Sequence, residues 1–407
     1  MRVLILNQTF FPDVAATAQH MWDLARFLEQ RGHRVTAVTS RNEYGTGRII
    51  GPAFERIGRI EIHRVSGTRF GKTHLAGRLA DFASFYAAAA VALWQLPSPE
   101  VILALTSPPL IATLAMLRKQ LGEHRTKLVY HVMDLYPDAA VAMGIMRFGS
   151  TMERTLMHIS ARALRASDAI IALGRDMNDR LVRRYGVRAE GVHVVTPWAD
   201  GRELYPLPRS SNALATELGL AGTFNIVYSG NLGLAHDLET ITGAIERMKH
   251  DAGVRFVFIG GGRRFEQLRR LQTAAGWEHV WLMDYQPRAA LNESLNLADV
   301  HLLSQLPAFT GVVVPSKLFG IMAVGRPAVM VGPADAECSR IIAESGCGRV
   351  VANGDVDGLV DVLRLLRGNP AQRERMGALG RCAFERDHDQ AVTCARIEQL
   401  LRKVVDG

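Results

Sequence analysis

The sequence predicts an α/β fold built from two doubly wound parallel sheets, and three observations support this prediction. The chain has 407 residues, more than one hydrophobic core usually supports, so two domains are expected. Short β-branched runs alternate with amphipathic segments of helical length along the whole chain, a pattern typical of parallel sheets with helices on both faces. A polar stretch that contains Pro206 and Pro208 shows neither period and is interpreted as the linker between the domains.

The domain boundaries follow from the position of this linker. The first domain is predicted over residues 1–203 and the second over residues 204–386. A last amphipathic helix over residues 387–407 comes after the second sheet is complete, so we expect it to pack back on the first domain.

Strands are predicted where the β-branched runs occur. In the first domain they are Arg2–Leu6, Arg34–Thr39, Ile60–Val65, Val101–Leu105, Leu128–Met133, Ala169–Leu173 and Val192–Thr196. In the second domain they are Asn225–Ser229, Arg255–Ile259, Val280–Met283, Val300–Leu303, Ala328–Val331 and Gly348–Val351. Ligands of parallel sheets bind at the carboxyl ends of the strands, near the N-termini of the following helices. Functional residues are therefore expected directly after each strand.

Positive charge is concentrated in the first half of the chain. The formal net charge is +8, and residues 1–200 hold the whole of this excess. This asymmetry predicts an anionic partner, but the zinc-finger and RNA-binding signatures are absent, so no nucleic acid is expected. An anionic membrane face or a phosphate-bearing acceptor fits better. The apolar helix predicted over Leu75–Leu96, which includes Arg78, is interpreted either as a core helix or as a membrane-facing one.

Cysteine usage and the N-terminal pattern predict a cytoplasmic protein. The four cysteines lie in the second half without C-x-x-C spacing, which indicates neither a zinc site nor a disulfide framework. No signal-peptide pattern precedes the first strand. Prolines interrupt the uncharged stretches over residues 82–99 and 101–117, and neither offers the roughly 20 apolar residues of a spanning helix. We expect a cytoplasmic location, with peripheral contact to the inner membrane face as an open alternative.

Three loops of the second domain have the composition of an anion site. Gly230–His236 follows a predicted strand and combines small residues with a histidine, although a glycine turn there is also ordinary loop structure. The next strand ends in Gly260–Arg264, where two guanidinium groups could grip phosphate. Lys317 lies in the first turn of a helix that begins after Pro315, and the helix dipole disfavours a cation there unless an anion is bound.

Two carboxylates follow a strand of the first domain. Asp134 and Asp138 come after the run that contains His131, at the edge where ligands are expected. They could bond an acceptor hydroxyl, but aspartate before proline or a turn also caps local structure. His131 alternates with apolar residues and is interpreted as a core histidine. The loop Thr9–Ala18, after the first strand, is rich in small residues that allow a ligand to approach closely.

Several motifs occur in a definite order along the chain. They are NQTFFPD (Asn7–Asp13), HVMDLYPD (His131–Asp138), TPWAD (Thr196–Asp200), GNLGLAH (Gly230–His236), DYQPR (Asp284–Arg288), ADVHLL (Ala298–Leu303) and VPSKLFGIMAVGRP (Val314–Pro327). Together they resemble the family-4 retaining glycosyltransferases, in particular the bacterial branch that builds cell-surface polysaccharides. The resemblance implies the GT-B fold, in which two Rossmann-like domains face each other across a cleft and the second binds a nucleotide-diphosphate sugar.

The resemblance also implies roles for individual residues. Asn231 and His236 occupy positions where relatives commonly place Arg and Lys against the donor diphosphate, and Tyr285 and Gln286 would border the base. With the loop positions above, the predicted donor-binding residues are Asn231, His236, Gly262, Arg263, Arg264, Tyr285, Gln286, Pro315, Ser316, Lys317 and Glu337. The predicted acceptor-side residues are Asp13, Thr17 and Asp138, and the predicted catalytic residues are Asp134 and Lys317. Arg263, Arg264 and Lys317 are expected to neutralise the diphosphate.

One position departs from the family pattern. Many relatives carry a Glu-x7-Glu pair whose second carboxylate bonds the ribose, but the corresponding residues here are Val312 and Gly320. Glu337, in the loop after the next strand, is the predicted substitute. A glutamate at that position also suits the first turn of a helix.

The resemblance implies a retaining transfer without a metal or another cofactor. A phosphate oxygen of the donor would help to deprotonate the acceptor, and the protein would stabilise the leaving diphosphate. The Asp355 and Asp357 pair is interpreted as a helix cap. UDP is favoured over GDP, and the expected acceptor is a glycan or a lipid-linked glycan. A nucleotide-sugar epimerase of the same architecture and a non-catalytic nucleotide-sugar-binding partner are the alternatives.

Overall fold

The structure, a computed structural model, describes residues 1–13, 15–43, 47–68, 75–122 and 126–407. Of Leu75, Ala76, Arg78 and Leu79 only the backbone is described, so the predicted role of the Arg78 side chain lies outside the described part, as does position 14 of the predicted acceptor loop. The chain divides into two compact units, Met1–Thr196 with Thr393–Gly407, and Pro197–Val392. The N-terminal segment of the first unit therefore ends at Thr196, a few residues before the predicted domain boundary after residue 203.

The first unit contains a parallel sheet with an antiparallel edge strand. Its strands are β1 (Arg2–Leu6), β2 (Arg34–Ser40), β3 (Phe54–Ile57), β4 (Ile60–Val65), β5 (Val101–Ala104), β6 (Lys127–Val132), β7 (Ala169–Ala172) and β8 (Val192–Val194), in the spatial order β3-β4-β2-β1-β5-β6-β7-β8. Its helices before the second unit are α1 (Ala16–Gln30), α2 (Leu75–Gln95), α3 (Ala112–Leu121), α4 (Asp138–Ala142), α5 (Thr151–Ala166) and α6 (Arg175–Tyr185). The sequence prediction lacks β3, which pairs antiparallel with β4 and has no buried residue to mark an apolar alternation.

The second unit contains a fully parallel sheet. Its strands are β9 (Phe224–Asn231), β10 (Val254–Gly261), β11 (Val280–Met283), β12 (Val300–Ser304), β13 (Ala328–Val331) and β14 (Gly348–Val351), in the order β11-β10-β9-β12-β13-β14. Its helices are α7 (Ala213–Glu217), α8 (Glu239–Arg247), α9 (Arg263–Ala275), α10 (Leu291–Asn296), α11 (Lys317–Ala323), α12 (Glu337–Ser345), α13 (Val356–Gly368) and α14 (Pro370–Asp387). Short 3-10 turns over the two units are Ala189–Gly191, Arg209–Ser211, Arg288–Ala290 and Pro307–Phe309.

The second sheet is covered on both faces, as the βαβ pattern predicts. Side chains of β10 point alternately to the two faces of the sheet. Phe256 and Phe258 pack in the hydrophobic cluster that includes α8 and α13, whereas Val257 and Ile259 pack in the cluster on the opposite face. Helix α13 buries Leu359, Val360, Leu363 and Leu366 at helical spacing. Its N-terminus is capped by Asp355, whose Oδ1 accepts a hydrogen bond from the Gly358 amide at 2.9 Å.

The last helix, α15 (Gln390–Asp406), returns to the first unit from Thr393 onward. Its buried Glu398 accepts hydrogen bonds from His33 Nε2 at 2.9 Å and from Arg402 Nη2 at 2.8 Å. A buried carboxylate is stable only with such partners, so this cluster holds α15 against the loop before β2.

Among the described residues, no helix is long and apolar enough to cross a membrane. Within the same ranges, no group of three or more His, Cys, Asp or Glu is arranged to hold a metal ion. The four cysteines are free thiols, and Cys382 is the exposed one.

Candidate functional site

The loops after β9 and β10 are joined where both strands end in glycines. Gly230 pairs with Gly260 and Asn231 with Gly261 in the parallel register, two residues beyond the predicted strand ends. The Leu232 amide donates to the Gly261 carbonyl at 2.7 Å. Gly262 has a φ of 117°, and a Cβ there would lie 2.6 Å from the Leu232 carbonyl oxygen. Only glycine fits this position, and the close approach brings the N-terminus of α9 beside the first loop.

Lys317 reaches from the start of α11 to the end of β9. Its Nζ donates to the Tyr228 hydroxyl at 2.6 Å and to the Asn231 carbonyl at 3.3 Å, and lies 3.8 Å from the centre of the Tyr228 ring. Burial among these groups lowers the pKa of Lys317 to about 7. Lys317 is partly exposed as a residue, and both oxygens that accept from its ammonium, the Tyr228 hydroxyl and the Asn231 carbonyl, are neutral. An anion bound there would restore the full charge.

His236 is oriented by the end of β12. Its Nδ1 lies 2.6 Å from the Ser304 carbonyl oxygen, which can only accept, so Nδ1 carries the proton and Nε2 of the neutral ring is an acceptor. Burial and the nearby charges of Lys317 and Arg264 lower the pKa of His236 to about 3. At neutral pH, His236 therefore does not supply the positive charge that relatives place at this position.

The two arginines at the start of α9 differ. Arg264, predicted to grip the diphosphate, instead donates from Nη1 to both carboxylate oxygens of Glu239 at 2.8 and 2.9 Å. In the free protein this guanidinium is therefore paired with a carboxylate, and its role at the diphosphate stays a prediction. Arg263 is exposed at the first position of α9. Lys317 and Arg263 are thus the predicted cations that the structure leaves open to a ligand.

An exposed aromatic ring lies beside the joined loops. Tyr285 is 61% exposed, and a Cβ on Gly261 would lie 3.1 Å from its Cε2, so the ring rests close to the end of β10. Gln286 follows it and donates to the Asp284 carbonyl at 3.1 Å. A flat ring with an accessible face is suited to stacking on a base.

The segment before α11 and the residue predicted for ribose binding are less open. Ser316 precedes Lys317 without a side-chain capping bond, and the Pro315 carbonyl accepts from Cys338 Sγ at 3.5 Å. Glu337 begins α12, is only 3% exposed and has other interactions, so it does not present an open carboxylate. This placement corrects its predicted role. Gly320 is buried, and a Cβ there would lie 3.4 Å from Leu295 Cδ1.

A polar network that the sequence prediction omits fixes three loops of this edge. Asn353 Nδ2 donates to Asp237 Oδ2 at 2.7 Å and to the Gln305 carbonyl at 3.1 Å. Gln305 Nε2 in turn donates to the carbonyls of Phe309 and Val313, at 2.9 and 3.1 Å. The loops after β9, β12 and β14 are therefore held together. The sequence holds a signal for Gln305, because it is the first polar residue after a buried strand. It also holds a signal for Tyr228, because a phenol stands there inside an aliphatic strand.

In the first unit, Asp134 is exposed at the carboxyl edge of the sheet, as predicted. Its amide donates to Thr106 Oγ1 at 3.2 Å, which links the ends of β5 and β6. Loss of hydration raises the pKa of the Asp134 carboxyl to about 6, although the side chain remains accessible to solvent. His131 is buried in β6, and burial lowers its pKa to about 3.

Asp138 does not face an acceptor, which corrects its predicted role. The carboxylate is buried and binds Arg180 Nε at 2.6 Å, Arg184 Nη1 at 2.9 Å and the Tyr185 hydroxyl. These groups lie on α6, so Asp138 anchors the start of α4 to that helix. Asp138 is only 1% exposed, so its carboxylate is not accessible to a sugar hydroxyl.

The other two predicted acceptor-side residues lie before and in α1. Asp13 is buried and its Oδ1 accepts from the Ala15 amide at 2.9 Å, so it shapes the turn that leads into the helix rather than meeting a ligand. Thr17 lies in the first turn of α1 and is partly exposed. Of these two residues, only Thr17 is exposed enough to contact a ligand.

Comparison with known proteins agrees with this architecture. The family described as Glycosyltransferase Family 4 matches residues 17–201, and the family described as Glycosyl transferases group 1 matches residues 223–369. The two together span most of the chain, with one match in each unit.

Individual relatives point the same way. The chain is 28% identical over 250 residues to the probable glycosyltransferase WbjE of Pseudomonas aeruginosa, and the match spans 61% of each chain. It is 25% identical over 358 residues to the putative colanic acid biosynthesis glycosyl transferase WcaI of Escherichia coli K12, which covers 84% of this chain and 86% of that one. The fold matches Anabaena HepE, crystallised with UDP and glucose, with a TM-score of 0.74 at 15% identity over 99% of both chains. The predicted fold class and family are confirmed: the chain has the GT-B fold and belongs to glycosyltransferase family 4.

Proposed function

We propose that the protein transfers a sugar from a UDP-sugar to a lipid-linked glycan during cell-surface polysaccharide synthesis. The observation that carries the donor assignment is the Lys317 ammonium, held against Tyr228 and the Asn231 carbonyl where the glycine loops meet. The resemblance to WcaI, named for colanic acid biosynthesis, supports the polysaccharide product. The UDP-bound HepE structure supports uridine over guanosine.

In the proposed retaining reaction, the bond between the anomeric carbon and the β-phosphate oxygen breaks, and the acceptor oxygen bonds to that carbon on the same face. The acceptor proton passes to the departing phosphate. Lys317 and Arg263 stabilise the charge that builds on this phosphate, and Asp134 binds the acceptor hydroxyl. No covalent step on a side chain is required, and no metal is assigned.

The joined loops support this donor site in three ways. The positive end of the α9 dipole lies beside the loop after β9, where the Arg264 amide donates to the Leu232 carbonyl at 3.0 Å, and this end favours a bound phosphate. The accessible face of Tyr285 suits the base, and the acceptor Nε2 of His236 suits a sugar hydroxyl. The neutral state of His236 and the Arg264 ion pair leave Lys317 as the main source of positive charge, so its removal should have a large effect.

Calorimetric titration with UDP tests the donor site. Lys317→Ala should weaken UDP binding by about 30-fold or more, since a charge-assisted contact to phosphate contributes about 2 kcal/mol. Lys249→Ala is the matched control, because Lys249 is a lysine of the same unit that pairs with Glu246 on the surface of the α8 segment. Equal UDP affinity of wild type and Lys317→Ala would show that the phosphates bind elsewhere.

A turnover assay separates the enzyme from its alternatives. The wild-type protein, UDP-sugars and a panel of polyprenyl-diphosphate-linked saccharides should give a lengthened glycan with the donor's anomeric configuration. Epimerised UDP-sugar without any acceptor would identify an epimerase instead. Tight UDP binding with no product across the panel would identify a non-catalytic nucleotide-sugar-binding protein.

A further inference from the structure

A cavity of about 870 Å³ lies at the amino-terminal edge of the sheet in the first unit. Its walls are the first residues of β1 and β2, the turn between β3 and β4, and the segment that follows α2. This edge is opposite to the carboxyl edge, where Asp134 lies. The volume is within the range of sites that bind small molecules. We call this space the amino-edge cavity.

The sheet presents a row of polar and charged side chains to this cavity. Arg2 of β1 pairs in register with Arg34 of β2. Glu61 of β4 pairs with Thr36 on one side and with Arg56 of β3 on the other. Paired residues point to the same face, as do residues two apart on one strand, so all five side chains share a face. Parallel sheets are usually apolar on both faces, so this face is suited to a polar ligand rather than to a packed helix.

Helix α2 covers the neighbouring part of this sheet but stops before the cavity. The helix packs against β2 and β4 and ends at Gln95. Pro97 and Pro99 follow, and the chain cannot continue a helix through them, because proline lacks an amide hydrogen and its ring clashes with the preceding turn. Leu96 and both prolines line the cavity. The cavity therefore has an apolar side opposed to its arginines.

The charges that line the cavity are mainly positive. Four arginines and one glutamate contribute to its walls, an excess of three positive charges. Two of these arginines, Arg2 and Arg56, pair with glutamates. Arg34 and Arg59 are exposed, and no carboxylate in the described part of the chain pairs with either guanidinium. Two unpaired guanidinium groups beside one cavity form a site for a phosphate group, which arginine binds through two parallel hydrogen bonds.

We propose that the amino-edge cavity binds a soluble phosphorylated organic compound. The phosphate oxygens accept hydrogen bonds from Arg34 and Arg59, and the organic part lies against Leu96 and the two prolines. A ligand with two or more negative charges matches the two unpaired cations. This site is separate from the donor loops of the second unit, and its occupancy can be measured without any glycosyl transfer. Its failure and the failure of the proposed function are therefore separate results.

Calorimetric titration of the full-length protein with pyrophosphate tests the cationic side. We expect two binding events in the wild type. Arg34→Ser/Arg59→Ser should weaken one of them about tenfold or more and leave the other unchanged. Lys317→Ala should weaken only the second event, which belongs to the donor loops. The matched control Arg183→Ser/Arg188→Ser removes the same charge from exposed positions of the first unit outside the cavity and should retain both events.

Two results of this titration would overturn the proposal. One is pyrophosphate binding that is unchanged in Arg34→Ser/Arg59→Ser, and the other is an equal loss in the control. Circular dichroism of every variant establishes that it is folded. A flotation assay with phosphatidylglycerol vesicles separates a soluble ligand from a lipid headgroup. Loss of vesicle binding in Arg34→Ser/Arg59→Ser with unchanged pyrophosphate binding would identify the headgroup and would also overturn the proposal.

The apolar side of the cavity is tested with two phosphate esters of equal charge. At the event that depends on Arg34 and Arg59, phenyl phosphate should bind about fivefold more tightly than methyl phosphate, because part of its ring is removed from water. Leu96→Ser should remove most of this preference and leave pyrophosphate binding unchanged. Equal affinity of the wild type for the two esters would show that the cavity does not recognise an organic group, and would overturn the assigned ligand class.

Discussion

Binding of UDP should take up a proton at Lys317. Burial lowers the pKa of this ammonium to about 7 in the free protein. A bound diphosphate favours the charged form, so the pKa is higher in the complex. When the pKa of a group is higher in the complex than in the free protein, its contribution to the binding affinity is complete below the free-state pKa. This contribution is lost as the pH rises above that value. UDP affinity should therefore fall above about pH 7.

The size of the effect follows from the titration of one group. Each pH unit between the two pKa values changes the affinity by at most tenfold. From about pH 7 to about pH 9 we expect Kd to rise about 10- to 50-fold, because about half of the Lys317 ammonium is already deprotonated at its pKa, and the smaller figure allows for the partial solvent access of Lys317. The terminal phosphate of UDP titrates near pH 6, below this range, so it does not produce the same trend.

Titration calorimetry at about pH 8 in buffers of different ionisation enthalpy counts the protons taken up per UDP. The matched variant is Lys317→Arg, whose guanidinium stays charged throughout, so its affinity should be nearly constant over the same range. A wild-type Kd that does not change between these pH values would refute the reasoning. So would an equal decline in Lys317→Arg, because the titrating group would then be another residue.

Two further predictions concern the residues that hold the two units' loops in place. Asp138→Asn should destabilise the first unit by about 3 kcal/mol and lower its thermal midpoint by about 10 °C, because Arg180 and Arg184 lose a buried anion. Exposed Asp179, on the same helix as both arginines, gives the control Asp179→Asn, and an equal midpoint for the two variants in a melting experiment would contradict the anchoring role. Gly262→Ala should reduce UDP affinity more than tenfold, because its Cβ would meet the Leu232 carbonyl at 2.6 Å and its φ of 117° costs a side chain about 2 kcal/mol. Gly276→Ala, with positive φ but open space, is the control, and similar UDP titrations for both variants would argue against the close approach of the loops.

The sequence determined the parallel sheets and the order of the elements. Apolar periodicity is a local property of a segment, so runs such as Val280–Met283 and Ala328–Val331 mark their strands without reference to the rest of the chain. The ordered motifs determined the family in the same way. The edge strand Phe54–Ile57 escaped prediction because its pairing with β4, not an apolar pattern, makes it a strand.

The tertiary structure decided the state of the charged residues. Lys317 meets Tyr228 across 89 positions of sequence, and Arg264 finds Glu239 across 25. Which cation is open to a ligand and which is already paired depends on the helices and loops that fold beside it, and sequence spacing does not contain that information. The same holds for Asp138, whose partners on α6 make it an anchor, and for His236, whose proton is directed by the Ser304 carbonyl. The chain's residue types set the chemistry available at the loops, and long-range packing set which groups can use it.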